Sequence, residues 1–312
     1  MKNFAFILFF YLLVLPMSVM SKTVQEGSPY ISKAFDITGD AALEIKTAGA
    51  SIQIEAWDND QVLVEVFVKR NGKLMDPTDP EIAEKLEAFE FEVVQEGQKI
   101  NVIMQSKSKV TWNMGRNQLN FAFEIHAPER TSADLRSAGG SIAISGLDGR
   151  HNLVSSGGTI RLMDCAGDFQ AKSSGGSFSV ESFVGNMDIS SSGGSVKVFD
   201  LVGGLKVNSS GGSLTVEDIS GSMVANTSGG SIRANLLSLE GEVSLKTSGG
   251  GITATLPKNE GLDLDLRGTS SKMRLENFQG EISSNTIKGK MNGGGVPVYM
   301  ASSGGSVKID FK

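Results

Sequence analysis

Gly-Gly pairs recur at Gly139-Gly140, Gly157-Gly158, Gly175-Gly176, Gly193-Gly194, Gly211-Gly212 and Gly229-Gly230, each 18 residues after the last. The next pair, Gly249-Gly250, follows after 20, and a last one opens at Gly304. A lone glycine also falls ten residues into each unit, at Gly149, Gly167, Gly185, Gly203 and Gly221. A fixed period of this length marks a stack of structural repeats and excludes most globular folds. The apolar residues obey the same period. Position four reads Ile142, Ile160, Phe178, Val196, Leu214, Ile232; position nine reads Leu147, Cys165, Phe183, Leu201, Ile219. Within a unit, apolar and polar residues alternate, which means strands with one buried face.

One such unit cannot bury its apolar face alone. Stacked coils place each column over the same column of the next, at a strand spacing of about 4.8 Å. The expected fold is an all-β solenoid of 18-residue coils. Each coil holds two strands divided by the lone glycine, and neighbouring coils are joined through Ser-Ser-Gly-Gly corners. Glycine suits a corner because it reaches positive φ without steric cost and lets adjacent backbones approach closely. The paired serines, Ser155-Ser156 through Ser209-Ser210, are expected to stack as hydroxyl ladders. Neither a dinucleotide fingerprint nor a calcium nonapeptide fits: no helix follows the glycines, and apolar Leu162, Val180 and Val198 stand where the calcium roll needs aspartate.

The chain opens with Lys2, the apolar run Phe4–Leu15, Pro16 and a small-residue stretch to Ser21. This is the order of a secretory signal peptide, with cleavage expected after Ser21. Its apolar run is too short for the ~20 residues of a membrane span, so no span is expected after cleavage. The chain is then an exported one, in the periplasm, at the cell surface or secreted. The segmentation is a signal peptide at 1–21, a β-rich region or cap at 22–130, regular coils at 131–256, and irregular coils with a terminal strand at 257–312. In the second segment, Asp79–Phe89 starts acidic, carries Pro80 in its first turn and reads as a short helix. In the last, Ser306–Phe311 reads as the final strand. Its edge is either covered by a fold-back of residues 257–300 or paired in an end-to-end homodimer.

The corners Ser-Ser-Gly-Gly-Ser-Val/Ile, Ala127-Pro128 before the repeats and the closing run 290–312 resemble the bacterial putative-adhesin β-strand-repeat family, Gly-rich domains of unknown function in exported and envelope proteins. The resemblance covers about 35–312. It implies a right-handed β-solenoid and suggests adhesion or envelope-stress roles, and it brings no catalytic, cofactor or metal residues with it.

The residues themselves offer little chemistry. His126 and His151 have no Cys or His neighbour at metal spacing, and Cys165 sits in an apolar column. Asp164, Asp200 and Asp218, interrupted by Ser182 and flanked by Glu181 and Glu217, read as an outward acidic column. Acids two coils apart stand about 10 Å from each other, too far for a retaining glycosidase pair. The net charge of −6 opposes nucleic acid and anionic membranes. A cationic and aromatic segment with Lys107, Lys109, Trp112 and Arg116 is the candidate contact for an envelope protein or glycan. The function expected is a non-catalytic extracytoplasmic scaffold or adhesin-like binding protein, with no cofactor. The alternative is a periplasmic component of envelope signalling or stress response, and a polysaccharide-acting enzyme comes a distant third.

Overall fold

The computed structural model describes residues 27–107 and 119–312. The expected signal peptide lies outside them. In chain order come β1 (Ile31–Asp36), β2 (Ala41–Thr47), β3 (Ser51–Trp57), β4 (Gln61–Arg70), β5 (Lys73–Leu74), α1 (Pro80–Leu86), β6 (Phe89–Glu96), β7 (Lys99–Ser106), β8 (Leu119–Pro128), β9 (Thr131–Ser137), β10 (Ile142–Ser145) and β11 (Asp148–Ser155). The regular repeats are β12 (Ile160–Ser173), β13 (Phe178–Ser191), β14 (Val196–Ser209), β15 (Leu214–Thr227) and β16 (Ile232–Thr247). The chain closes with β17 (Ile252–Leu256), β18 (Leu262–Arg267), β19 (Ser271–Met273), β20 (Phe278–Ile282), β21 (Thr286–Met291), β22 (Val296–Ser302) and β23 (Val307–Phe311).

The fold is a β-solenoid, and its columns run in register. Ile160 pairs with Phe178, then Val196, Leu214 and Ile232 follow along parallel strands. The same column continues through Ile252 to Val307 at one end and through Ile142 and Ile52 to Phe123 at the other. These side chains form one continuous buried core. The 20-residue unit keeps the columns by absorbing its extra residues as a bulge in β16 opposite Val216–Met223.

Each coil turns differently from the sequence-based expectation. The first bend lies at position eight, three residues before the lone glycine. Asp164, Ser182, Asp200 and Asp218 stand there in the left-handed region, with φ of 52–56°. Aspartate tolerates this region better than most residues, so the acidic column is a bend and not a strand face that happens to carry acids. Cross-coil bonds tie it together: Ser182 Oγ donates to Asp200 at 3.2 Å, and Asn235 Nδ2 donates to Asp218 at 3.0 Å. The lone glycine lies within the second arm, again at positive φ from Gly167 (105°) to Gly221 (146°). The third turn is the Ser-Ser-Gly-Gly corner.

At that corner the two glycines differ. A Cβ on Gly157 would meet nothing, and one on Gly193 nothing nearer than 3.5 Å. A Cβ on Gly194 would lie 2.3 Å from the Gly176 carbonyl oxygen, and the same holds at Gly176, Gly212 and Gly230 against the coil before. These second glycines need no positive φ. Close backbone superposition, not turn geometry, requires them. The serines divide as well. Ser137, Ser155, Ser173, Ser191 and Ser209 are buried, continued by Thr227, Thr247 and Ser302, while the residue that follows each, Ala138 in the first coil and serine in the rest, is exposed. Outside Ser191 and Ser209, the buried hydroxyls hold the corner amides: Ser173 Oγ accepts from Gly176 N at 2.9 Å, and Ser302 Oγ accepts from Gly305 N at 2.8 Å while donating to Gly250 O at 2.6 Å.

Both ends depart from sequence order. β2 and β3 stack on β9 and β10, and β7 and β8 lie outside them. The first strand face ends in antiparallel β4 and β1, and the second in β6. Lys33 Nζ on β1 donates to Val93 O on β6 at 2.9 Å, drawing the two edge strands together. α1 fills the end of the core with Ile82 and Leu86, and its N-cap Asp79 accepts from the amides of Glu81 and Ile82. Phe89, expected as the end of this helix, begins β6 instead.

At the other end β23 is interior. It pairs with β17 on one side and β19 on the other, and β22 likewise lies between β16 and β18. β21 and β20 then add antiparallel strands beyond β18. The segment between β17 and β22 therefore folds back over the terminal strand. The edge that an end-to-end pairing at Ser306–Phe311 would use is already occupied.

Candidate binding surfaces

Of the four residues expected to contact a partner, only Lys107 falls within the described chain. It is exposed, and its backbone amide donates to Ala88 O at 2.9 Å. Lys109, Trp112 and Arg116 lie outside the described residues.

The stacked coils build a longer surface. Beside the glycine corner, on the outer side of the second arm, runs a groove of about 750 Å³. Its wall is the exposed second serine of each corner, from Ser156 to Ser228 and on to Ser248 and Ser303. Its floor is the neighbouring outward column of Lys172, Ser190, Asn208, Asn226 and Lys246. Asn226 Nδ2 donates to Asn208 Oδ1 at 3.0 Å, so the amides form a ladder. Beneath them, Ser191 Oγ and Ser209 Oγ are buried without a hydrogen-bond partner. Near the far end the Tyr299 ring has Lys246 Nζ 4.9 Å and the Arg267 guanidinium 5.8 Å from its centroid. The groove offers hydroxyl, amide and cationic groups at strand spacing along the axis. The sequence contained the signal, since both columns repeat every 18 residues, but polar columns look alike whether they face a groove or open solvent.

A second feature had no separate reading in the sequence. Met163, Val184, Phe199 and Val202 are exposed on either side of the aspartate bend. They occupy positions seven and ten, where the bend rather than strand alternation decides which way a side chain points.

The titratable core residues carry no reactive arrangement. His151 is fully buried in the column of Phe169, Met187 and Leu205. Among the described residues neither ring nitrogen makes a well-formed hydrogen bond. Burial pushes its pKa below the usual histidine value, and the nearby backbone of Ala166 and Leu147 opposes this only in part. Cys165 is buried, and burial raises its thiol pKa away from the reactive thiolate. Among the described residues, no group of three or more His, Cys, Asp or Glu is placed to hold a metal. Nor is any helix among them long and apolar enough to cross a membrane.

The sequence profile of Toastrack DUF4097 matches residues 41–310, from the first residue of β2 into β23. The chain belongs to this family. The match spans the whole stack of parallel coils, including the out-of-order strands at both ends, so the family resemblance carried by the corners holds. Three solved structures align with the chain, each with a TM-score below 0.5. A protein of Bacteroides fragilis named a "putative adhesin" is 12% identical, with a TM-score of 0.44 over 89% of this chain and 96% of that one. A "putative cell adhesion protein" of Clostridium sporogenes is 11% identical, with a TM-score of 0.23 over 91% and 100%. A "Putative lipid binding protein" of Parabacteroides distasonis is 12% identical, with a TM-score of 0.27 over 91% and 97%. No curated protein matches the chain.

Proposed function

We propose that this Toastrack protein is a non-catalytic, extracytoplasmic binding scaffold that holds an envelope protein or glycan along its serine and asparagine groove. The observation that carries the reading is the groove itself: a polar concavity whose hydrogen-bonding groups repeat with the coils. Those groups are pre-positioned by in-register backbone pairing, so little ordering entropy is lost when a ligand docks. The signal-peptide order read in residues 1–21 supports a place outside the cytoplasm for such a surface. The acidic balance directs it away from nucleic acid.

The test is recovery of a partner from native envelope on immobilised chain beginning at Lys22. Asn208→Trp fills the groove without touching a corner, and is expected to lower recovery of the partner at least ~10-fold, the order of a blocked central contact. Trp112→Ala tests the separate cationic segment in parallel. Recovery unchanged by Asn208→Trp overturns the groove as the docking surface. Turnover of a polysaccharide panel by the purified chain overturns the non-catalytic reading.

A further inference from the structure

On the aspartate-bend side of the first coils, β3 and β8 end together and the chain leaves both strands in loops. A pocket of about 760 Å³ opens there, between Gly39-Asp40, Trp57–Asp60, Pro128–Arg130 and Gly146. Its main element is Trp57. The indole Nε1 donates to Gln61 O at 2.7 Å, and one ring face stacks on His126 with centroids 5.3 Å apart and planes 25° from parallel. Trp57 ends β3, while His126 belongs to β8 and Gln61 to β4. The ring is therefore laid across the outer side of the sheet and pinned at its N–H edge. Gly146, with φ of 73°, keeps the neighbouring backbone bare: a Cβ there would lie 2.9 Å from the Ala56 Cβ.

The charge around this ring is unbalanced. Asp40, Asp58, Asp60 and Glu129 line the pocket against one cation, Arg130. Asp40 already takes that cation in a two-pronged pair at 2.7 and 3.1 Å. Asp58, Asp60 and Glu129 have no ion-pair partner among the described residues. Yet these carboxylates do not converge into a metal-holding group. Diffuse negative charge around a fixed indole suits a large, weakly hydrated cation. Tryptophan is the best aromatic partner for such an ion, and the surrounding carboxylates add attraction without needing N–H donors on the ligand.

We propose that the Trp57 pocket binds an organic ammonium group of the choline kind. The assignment stands apart from the groove, which lies on another side of the coil.

The test is a choline titration of the chain carrying Trp112→Phe. The chain has two tryptophans, so its emission then reports Trp57 alone. The control is 3,3-dimethylbutanol, which has the same shape without the charge. A saturable change with choline, at least ~10-fold weaker or absent with the neutral alcohol, is expected. Calorimetry on Trp57→Leu should show the binding lost. Asp58→Asn with Asp60→Asn, both on an exposed loop, should weaken it severalfold at unchanged melting temperature, and this pair decides the matter if Trp57→Leu does not fold. Phosphocholine binding as tightly as choline points to a lipid or polymer headgroup, and its exclusion to a free amine; either requires the ammonium site. Equal response to the neutral alcohol, or choline binding that survives the paired aspartate substitutions unchanged, overturns the proposal.

Discussion

His151 shows what a single column position costs when the residue is polar. Its neighbours in the column are Phe169, Met187 and Leu205, and its two buried ring nitrogens make no well-formed hydrogen bond among the described residues. An unsatisfied buried polar group costs about 1–3 kcal/mol. His151→Leu, similar in volume and apolar, should therefore raise stability by about that amount at pH 8. A second effect depends on pH. Burial lowers the folded-state pKa below the ordinary value of 6.5, so above that pH neither state binds a proton at this site. As pH falls below about 6.5, the unfolded chain takes up a proton that the folded one refuses, and stability drops until the folded pKa is reached. The slope is at most about 1.4 kcal/mol per pH unit. Urea melts of the two proteins should therefore diverge further at pH 5 than at pH 8. A constant gap would show that the ring is not held neutral.

At the scale of the element, the corner separates glycines that the sequence pattern presents as equal. From Gly139 to Gly193 the first member of each pair has room for a side-chain carbon, with nothing nearer than 3.5 Å, whereas the second lies beneath the carbonyl of the preceding coil. Gly193→Ala should change the melting temperature little. Gly194→Ala should cost about 1–3 kcal/mol, as inserted atoms do in a packed interior. Gly194→Val should cost at least as much, whereas Lys197→Val on the exposed side of the same coil should not. Equal melting temperatures for Gly193→Ala and Gly194→Ala would contradict the superposition. The bend follows different chemistry. Asp164, Asp200 and Asp218 stand at positive φ without glycine, because a short polar side chain is tolerated there. That is why their acidity in the sequence suggested a solvated face when their conformation was the point.

For the whole molecule, the order of coils in space differs from their order in the chain. β22 and β23 lie between β16-β17 and β18-β19, so the last residues of the chain hold two parts of the stack together. A chain ending at Gly295 would expose parallel edges on both sides of the gap, each with an apolar face and unpaired backbone groups. Such edges promote pairing with other chains. Light scattering should show the full-length protein keeping one size across concentrations and the truncated one associating as concentration rises, with a lower melting temperature. The end formed by β1 and β6 is guarded: β6 carries exposed Glu90, Glu92 and Glu96, and Lys33 ties it to β1. A truncated chain that stayed at the size of the full-length one would show that β22 and β23 are dispensable to the stack.

The columns were legible because every regular coil meets an identical neighbour, so the 18-residue period, the inward positions, the buried Cys165 and His151 and the short capped helix all follow from local pattern. The terminal order was less so. Alternating strands at Leu262–Arg267 and Val296–Ser302 each look able to continue the stack. The corner decides between them: Gly304-Gly305 superposes on Gly249-Gly250, where a Cβ on Gly305 would lie 2.4 Å from Gly250 O, whereas the corner after β18 has the single Gly268. The Trp57 pocket was hidden for a related reason. The pair Trp57 and Gln61 lies far along the chain from the pair His126 and Arg130, and only the insertion of β7 and β8 outside β2 and β3 brings them together. By itself the sequence determined the coil, because its physics is the repetition of one set of nearest-neighbour contacts. The tertiary structure decided which coil sits on which, because equivalent apolar faces compete for the same place and only backbone fit at the corners separates them.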